Sequence, residues 1–371
     1  MKDDVSMNIP SMSVGEMSEH LSNMYISLLS KKVPVSQIPS VMLWGSPGIG
    51  KSQGVVQTGR EIERAMHKKA VITEVRLILF NPIDLRGIPT FDSERKLSVW
   101  LKPKIFQMDS GEGVVNILFL DDITSAPQSV QAAAYQITLN RMVGEHRLPD
   151  NCIVIAAGNR VTDKSIAYKM PKALANRMLH INIESSFDSW KKWAIENRIN
   201  DKVIGFLSFK RHRLNCFETM NDDLAFPTPR TWEFVSNLIS GVDDTRDNMI
   251  ELISGLIGYG VGMEFKRWLS VYASLPDIEE IFEGKDVSVP KGTDSLYALS
   301  SAMVAYAREH KDDLKKITNS IAYARKLPPE YSVLTLKDYL YIDNKLKKEL
   351  MKNSEFVSWL KERGALVNAV V

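Results

Sequence analysis

The stretch Gly45-Ser46-Pro47-Gly48-Ile49-Gly50-Lys51-Ser52 decides the fold of this chain of 371 residues. The apolar run Val41-Met42-Leu43-Trp44 before it predicts a buried strand, and the residues from Gln53 onward predict a helix. Glycines in such a loop let backbone N–H groups turn toward phosphates, and a helix N-terminus favours the same negative charge. Lys51 would reach the β and γ phosphates of a nucleotide, and Ser52 would ligate Mg²⁺. The alternative is an ordinary Gly- and Pro-rich turn before a helix, but the flanking elements favour the phosphate-binding loop.

A second acidic site follows the apolar run of residues 114–120, which ends in Asp121 and Asp122. A strand that is apolar on both faces belongs in the middle of a parallel sheet, and ligands bind beyond the carboxyl ends of such strands. Asp121 is therefore the candidate for the coordination shell of Mg²⁺. Asp122 is the candidate that orients and deprotonates the attacking water. The alternative is that the two aspartates cap the helix that begins near Ala126 and Pro127.

Three more polar residues follow in the order that a ring-forming ATPase requires. Asn159 closes another buried strand and is placed to hydrogen-bond the γ phosphate or the attacking water. Arg177 ends a short predicted helix, where it would be presented to the nucleotide of a neighbouring subunit. Arg230 lies in the first turn of a helix, where a cation opposes the helix dipole and indicates an anionic partner. Taken singly, Asn159 is more often just a turn residue, and Arg177 also fits the favourable placement of a cation at a helix C-terminus.

Together these motifs resemble those of AAA+ ATPases of the MoxR type, over roughly residues 20 to 240. The resemblance is carried by the phosphate-binding loop, the strand that ends at Asp122, Asn81-Pro82-Ile83-Asp84-Leu85-Arg86-Gly87-Ile88-Pro89, Ala157-Gly158-Asn159-Arg160, Ala173-Leu174-Ala175-Asn176-Arg177 and Thr228-Pro229-Arg230. It implies that Asn159 is sensor 1 and that Arg230 is the sensor 2 arginine of a helical lid. It also implies that Arg177 is the arginine finger that acts in trans. Arg141 and Arg160 are the reserve candidates if Arg177 proves silent.

The same resemblance implies a homo-oligomeric ring, most often a hexamer, that acts on a protein client. Proteins of this type typically work beside a partner that has a von Willebrand factor A domain. The family has Asp-Glu after the acidic strand, whereas this chain has Asp121-Asp122. The second carboxylate is one methylene shorter, which changes its reach toward the attacking water.

The motifs predict an α/β fold, a P-loop NTPase core with a parallel five-stranded sheet flanked by helices, over residues 1–186. Helical patterns then predict a lid over 187–275 and a C-terminal helical region of unknown role over 276–371. Residues 91–100 and 143–148 predict two hairpins. The first resembles the insertion that this branch of AAA+ proteins carries in its second helix, pointing into the central pore. Its end, Val99-Trp100-Leu101, is expected to be exposed, although Trp100 could equally anchor the hairpin to the core.

The composition of the chain limits the cellular compartment, the metal and the partners that we expect. Hydrophobic residues make up 44% and charged residues 25%, which is typical of a soluble globular protein. No apolar run reaches the length of a spanning helix and the N-terminus lacks a signal-peptide pattern, so we expect a cytoplasmic protein with no membrane role. Cys152 and Cys216 are expected to be free thiols. The histidines show no metal-ligand spacing, so Mg²⁺ is the only metal expected. A net charge of +2 gives no case for nucleic-acid binding, and the basic cluster at residues 210–213 reads best as a solvated face.

The sequence therefore predicts an ATP-driven, Mg²⁺-dependent ATPase that remodels or activates a protein client. One alternative is a nucleic-acid-directed motor or a restriction-type GTPase. Another is a slow nucleotide switch or assembly scaffold, which the shorter Asp122 side chain favours.

Overall fold

The computed structural model describes residues 8–92, 94, 96–163, 168, 170–219, 223–241 and 247–370. The chain forms two compact units, Met1–Ser186 and Phe187–Val371. The first unit is α/β and the second is helical.

The N-terminal unit contains short hairpins and a sheet surrounded by helices. Its strands are β1 (Ser11–Met12), β2 (Ser40–Trp44), β3 (Lys69–Arg76), β4 (Ile88–Asp92), β5 (Leu97–Leu101), β6 (Val114–Asp121), β7 (Met142–Val143), β8 (His146–Arg147), β9 (Cys152–Gly158) and β10 (Met178–Ile183). Its helices are α1 (Val14–Ser30), α2 (Lys51–Met66), α3 (Pro82–Arg86), α4 (Gln128–Asn140) and α5 (Lys172–Ala175).

The main sheet has the order β1-β10-β2-β9-β6-β3, and all neighbouring strands are parallel. The predicted α/β fold with a parallel sheet is thus confirmed, but the predicted number of five strands is wrong because the sheet has six. The extra strand is β1, whose Ser11 and Met12 pair with the outer edge of β10. Two residues are too few to show a strand periodicity, and their pairing depends on the exposed backbone of β10.

Each face of the sheet has its own hydrophobic core. Along β2, Met42 packs into one core, and Val41 and Leu43 pack into the other. Helices α1 and α2 cover the second face, whereas α4 covers the first. Since successive side chains of a strand point to opposite faces, a strand between two helical layers must be apolar at almost every position. The nearly unbroken apolar runs of β2, β6 and β9 are therefore explained.

Two antiparallel hairpins stand apart from this sheet: β4 pairs with β5, and β7 pairs with β8. The first begins directly after Gly87, whose φ is +93°, and a Cβ there would lie 2.0 Å from the carbonyl oxygen of Leu101. Gly87 therefore permits the close approach that closes the base of this hairpin. Ser93 and Arg95 of the predicted turn lie outside the described residues.

The helical unit is built on one continuous hydrophobic core rich in aromatic side chains, among them Trp232, Phe265 and Trp359. Its helices are α6 (Phe187–Glu196), α7 (Asp201–Phe209), α8 (Pro229–Gly241), α9 (Asp247–Ile257), α10 (Tyr259–Ala273), α11 (Ile278–Glu283), α12 (Thr293–Glu309), α13 (Leu314–Ala324), α14 (Pro329–Tyr339), α15 (Asn344–Leu350) and α16 (Ser354–Val370). A buried ion pair between Lys191 and Asp338 joins α6 to α14.

Cys152 and Cys216 are both buried free thiols. Within the described residues, no helix combines the length and the apolar character that crossing a membrane requires.

Candidate nucleotide-binding site

The loop Gly45–Ser52 connects β2 to the N-terminus of α2. Gly50 is the N-cap residue of that helix and has a φ of +107°, a conformation that residues with a Cβ rarely adopt. Gly50 has no side chain that could accept hydrogen bonds from the first backbone N–H groups of the helix, so these groups are left for an external acceptor. A helix N-terminus of this kind attracts anions because its unpaired N–H groups and its dipole both carry partial positive charge.

Lys51 is buried, with only 8% of its surface exposed. Its Nζ donates to the carbonyl oxygens of Gly45 at 2.6 Å and Ser46 at 3.1 Å, and to Oδ1 of Asn159 at 3.1 Å. A buried ammonium group is costly unless oxygen atoms surround it. These contacts keep the charge of Lys51 at the loop and link it to the end of β9.

The strand register explains why residues distant in sequence meet here. Trp44 at the end of β2 pairs with Gly158 at the end of β9, and Leu120 of β6 pairs with Ala156. The residues that directly follow these strands therefore emerge at one edge of the sheet, which is where ligands of open α/β sheets bind.

Asp121 is the last residue of β6, and its Oδ2 accepts a hydrogen bond from Oγ of Ser52 at 3.2 Å. Its Oδ1 accepts from the backbone N–H of Asp122 at 2.9 Å. Burial, followed by the nearby charge of Asp122, raises the pKa of Asp121 above its ordinary value. A nearby cation would stabilise the ionised form of a carboxylate whose pKa is raised in this way. The Ser52 and Asp121 oxygens are moreover the hard ligands that Mg²⁺ prefers, so the residues present fit a Mg²⁺ site.

Asp122 has a φ of +54°, the left-handed conformation that is uncommon for non-glycine residues and is tolerated best by asparagine and aspartate. The helix after it begins at Gln128, and its N-cap is Pro127 with no side-chain cap. The alternative that the two aspartates cap this helix is therefore wrong. Among the described residues, the Asp122 carboxylate makes no hydrogen bond, which leaves its oxygens available.

Asn159 is buried directly after β9, and its backbone is fixed by Thr124. The backbone N–H of Asn159 donates to Oγ1 of Thr124 at 2.9 Å, and the same hydroxyl donates to the Asn159 carbonyl at 3.2 Å. Sequence reasoning missed Thr124, because nothing in the pattern after Asp122 distinguishes it from a loop threonine. Its role depends on the adjacency of β6 and β9.

The four arginines differ sharply in their surroundings. Arg177 is exposed in the turn between α5 and β10 and makes no ion pair among the described residues. Arg141 is 7% exposed and donates to the carbonyl oxygen of Ile38 at 2.7 Å. The prediction that Arg141 is a reserve arginine finger is therefore wrong, because a buried guanidinium cannot reach a neighbouring subunit. Arg160 is half-buried and donates to the Ile183 carbonyl at 3.2 Å.

Arg230 belongs to the helical unit, where it lies exposed in the first turn of α8. The basic cluster at residues 210–213 of the same unit is largely paired. Lys210 and Arg213 both bind Glu264, at 2.9 Å and 2.6 Å. Paired cations are poorly suited to the phosphate backbone of a nucleic acid.

No family model matches this chain, and no curated protein matches it significantly. Among solved structures, it is similar to a mutant of Thermotoga maritima RuvB, with a TM-score of 0.38 and 14% identity over 78% of this chain and 84% of that one. A second RuvB mutant has a TM-score of 0.36 at 14% identity, covering 78% and 81%. A Cytophaga hutchinsonii protein provisionally described as an ATPase has a TM-score of 0.33 at 14% identity, covering 78% and 87%. Similarities of this size carry no argument about function, which depends on the site itself.

Proposed function

We propose that this chain binds Mg·ATP and hydrolyses it to ADP and phosphate. The observation that carries this proposal is the convergence of Lys51, Ser52, Asp121 and Asn159 at one edge of the parallel sheet, linked by direct hydrogen bonds. An ordinary Gly- and Pro-rich turn would account for the loop conformation, but not for the contacts of its buried lysine and its serine with Asn159 and Asp121 at the ends of two other strands.

The loop N–H groups and Lys51 hold the β and γ phosphates, whose oxygens take the place of the carbonyl acceptors that Lys51 now contacts. Ser52 and Asp121 would hold Mg²⁺, directly or through its waters, and the ion would supply positive charge beside the β and γ phosphate oxygens. Asn159 orients the γ phosphate or the attacking water.

Asp122 orients the water and takes its proton. The water oxygen forms a bond to the γ phosphorus while the bond from that phosphorus to the bridging oxygen breaks, and ADP leaves. Arg177 stabilises the transition-state charge in a neighbouring subunit, which its exposed position supports. Arg230 acts as the sensor 2 arginine of a lid formed by residues 187–275.

The assembly is a ring of the AAA+ type, most simply a hexamer of MoxR character, that remodels a protein client beside a von Willebrand factor A domain partner. Support for a protein client comes from an apolar surface at residues 78–105. Its exposed members are Ile78, Leu79, Ile83, Ile88, Phe91, Leu97, Leu101 and Ile105. Several of these side chains line one groove, and an exposed apolar surface of this kind is typical of protein–protein contact.

The end of the first hairpin differs from expectation. Trp100 is half-buried. Its backbone N–H donates to Oε1 of Glu145 at 2.5 Å, and its carbonyl oxygen lies 2.6 Å from Nε2 of His146. The second hairpin thus anchors Trp100, whereas Leu101 is exposed. Between the hairpin and α3 lies a groove of about 550 Å³, and it is Leu101, not Trp100, that lines it.

A steady-state ATPase assay tests this function. We expect phosphate release that requires Mg²⁺, stops with a chelator in excess and prefers ATP over GTP in competition. A GTP preference, or strong stimulation by DNA or RNA and by no protein, would instead indicate the nucleic-acid-directed alternative. Tight ATP binding with turnover slower than about one per hour would indicate the switch, which the short, conformationally constrained Asp122 favours.

A further inference from the structure

His180 joins two segments that the proposed mechanism uses separately. It lies on β10, in register with Met42 of β2. Its Nδ1 is 2.9 Å from Nε1 of Trp44, and its Nε2 is 2.7 Å from the carbonyl oxygen of Ala175. Its ring also stacks on the Trp44 indole, with centroids 6.0 Å apart and an interplanar angle of 25°.

The chemistry of the two partners determines the tautomer of His180. An indole N–H can only donate, so Nδ1 of His180 must accept; a carbonyl oxygen can only accept, so Nε2 must carry the proton. The imidazole is therefore neutral, and both of its nitrogens are committed. A phenyl ring of similar shape would keep the stacking and lose both hydrogen bonds.

The two partners lie next to the two functional segments. Trp44 directly precedes Gly45, the first residue of the phosphate-binding loop. Ala175 is the last residue of α5 and lies two residues before Arg177. Helix α5 has only four residues, so its orientation depends on tertiary contacts rather than on its own stability. The bond to His180 satisfies one of the carbonyls that a helix leaves unpaired at its C-terminus.

We infer that His180 is a positioning residue that ties the nucleotide loop of each subunit to the arginine which that subunit presents to its neighbour. This inference rests on the proposed function, specifically on Arg177 acting in trans. Through the chain from Trp44 to His180 to the Ala175 carbonyl, the placement of Arg177 depends on strand β2 of its own subunit. His180 thus affects catalysis in the active site of the neighbouring subunit, which receives Arg177, more than nucleotide binding in its own subunit.

The test compares His180→Phe, which keeps the stacked ring, with His180→Gln, whose amide can both accept and donate. We expect His180→Phe to lower kcat by about ten- to a hundredfold, since a misplacement of about 1 Å can cost that much. The dissociation constant for a fluorescent ATP analogue should change less than about twofold, because Trp44 stays paired with Asn182 and Gly158 on its two sides and keeps a stacked ring against its indole. His180→Gln should recover activity to within about threefold of the unmodified chain.

A mixing experiment separates positioning of Arg177 from damage to the subunit's own site. Lys51→Ala subunits cannot bind nucleotide but carry an intact Arg177 and His180. When they are mixed with His180→Phe subunits, the sites of the His180→Phe subunits gain correctly placed arginines, and activity per competent site should rise. An Arg177→Ala and Lys51→Ala mixture run in parallel shows whether Arg177 acts in trans at all.

The outcomes are distinct. If the Arg177→Ala mixture gains activity and the His180→Phe mixture does not, the inference about His180 is wrong and the proposed function stands. If neither mixture gains activity, Arg177 does not act in trans, and the inference about His180 is wrong as well. Full activity of His180→Phe alone would also overturn the inference. Should His180→Phe melt early, His180→Gln still decides: a stably folded His180→Gln whose kcat falls as far as that of Arg177→Ala would contradict positioning through these two hydrogen bonds.

Discussion

The ammonium group of Lys51 is buried against two carbonyl oxygens of its own loop and the amide oxygen of Asn159. Lys51→Ala removes the only side-chain charge of the loop. We expect ATP affinity to fall by about a hundredfold or more, because the phosphates lose two charge-assisted hydrogen bonds. Titration calorimetry measures this loss. Lys31→Ala, at an exposed lysine after α1, is the control and should bind normally. Normal ATP binding by Lys51→Ala would mean that the nucleotide site lies elsewhere.

At Asp122, side-chain length and backbone conformation act against each other. Asp122→Asn should keep Mg·ATP binding and lose hydrolysis, because an amide cannot take the proton of the water. Asp122→Glu restores the longer reach and should preserve or raise turnover. It should also lower the melting temperature slightly, because glutamate tolerates the positive φ of this position less well than aspartate. Unchanged turnover in Asp122→Asn would transfer the role of base to Asp121 or a neighbour.

At the scale of elements, the β4–β5 hairpin exposes apolar side chains that the core does not use. Leu101 is 58% exposed, and Leu252 on α9 is 59% exposed, which makes Leu252 a matched control. Leu101→Ser should leave basal ATP hydrolysis and assembly unchanged while abolishing the increase in turnover caused by a client. Leu252→Ser should keep that increase. Equal loss of basal activity and thermal stability in Leu101→Ser would show that Leu101 supports the fold instead.

The ion pair between Lys191 and Asp338 holds α6 against α14 with both side chains buried. Lys191→Met leaves a buried carboxylate without its partner, so the free energy of unfolding should fall by about 3–5 kcal/mol. The double variant Lys191→Met with Asp338→Leu removes both charges and should recover most of the loss. Urea denaturation measures both variants.

The exposed pair of Lys345 and Asp312 provides the control for this experiment. Lys345→Met should leave the unfolding midpoint unchanged, because exposed ion pairs contribute little to stability. A loss in Lys345→Met as large as that in Lys191→Met would show that burial is not the cause.

At the scale of the whole molecule, the proposed mechanism needs a second copy of the chain. An arginine finger contributes about 10³- to 10⁵-fold in related phosphoryl transfers, so Arg177→Ala should bind ATP and be nearly inactive. Specific activity of the unmodified chain should rise with protein concentration across the range in which it assembles, as measured by light scattering in parallel. A chain that stays monomeric with ATP, with constant specific activity, would contradict action in trans. Arg160 is then the remaining candidate, since Arg141 is buried.

Much of the fold is predictable from local sequence because its signals are periodic or stereochemical. The apolar runs of β2, β6 and β9 require burial on both faces, and the glycines of the loop between β2 and α2 require a backbone that only glycine adopts easily. These patterns determined the parallel α/β fold, the position of the loop and the identity of Lys51, Ser52, Asp121 and Asn159 as candidates. They are carried by neighbouring residues and need no knowledge of distant ones.

Only the tertiary structure decided which distant residues meet. The pairing of β1, the support of Asn159 by Thr124, the hydrogen bond of Arg141 to Ile38 and the hydrogen bond of His180 to Trp44 all join segments far apart in the chain. Such contacts leave no periodic trace, because a threonine, an arginine or a histidine looks the same in sequence whether it is solvated or fixed in a core. The sequence by itself determined the chemistry available to this protein, and the packing of its strands decided where each group acts.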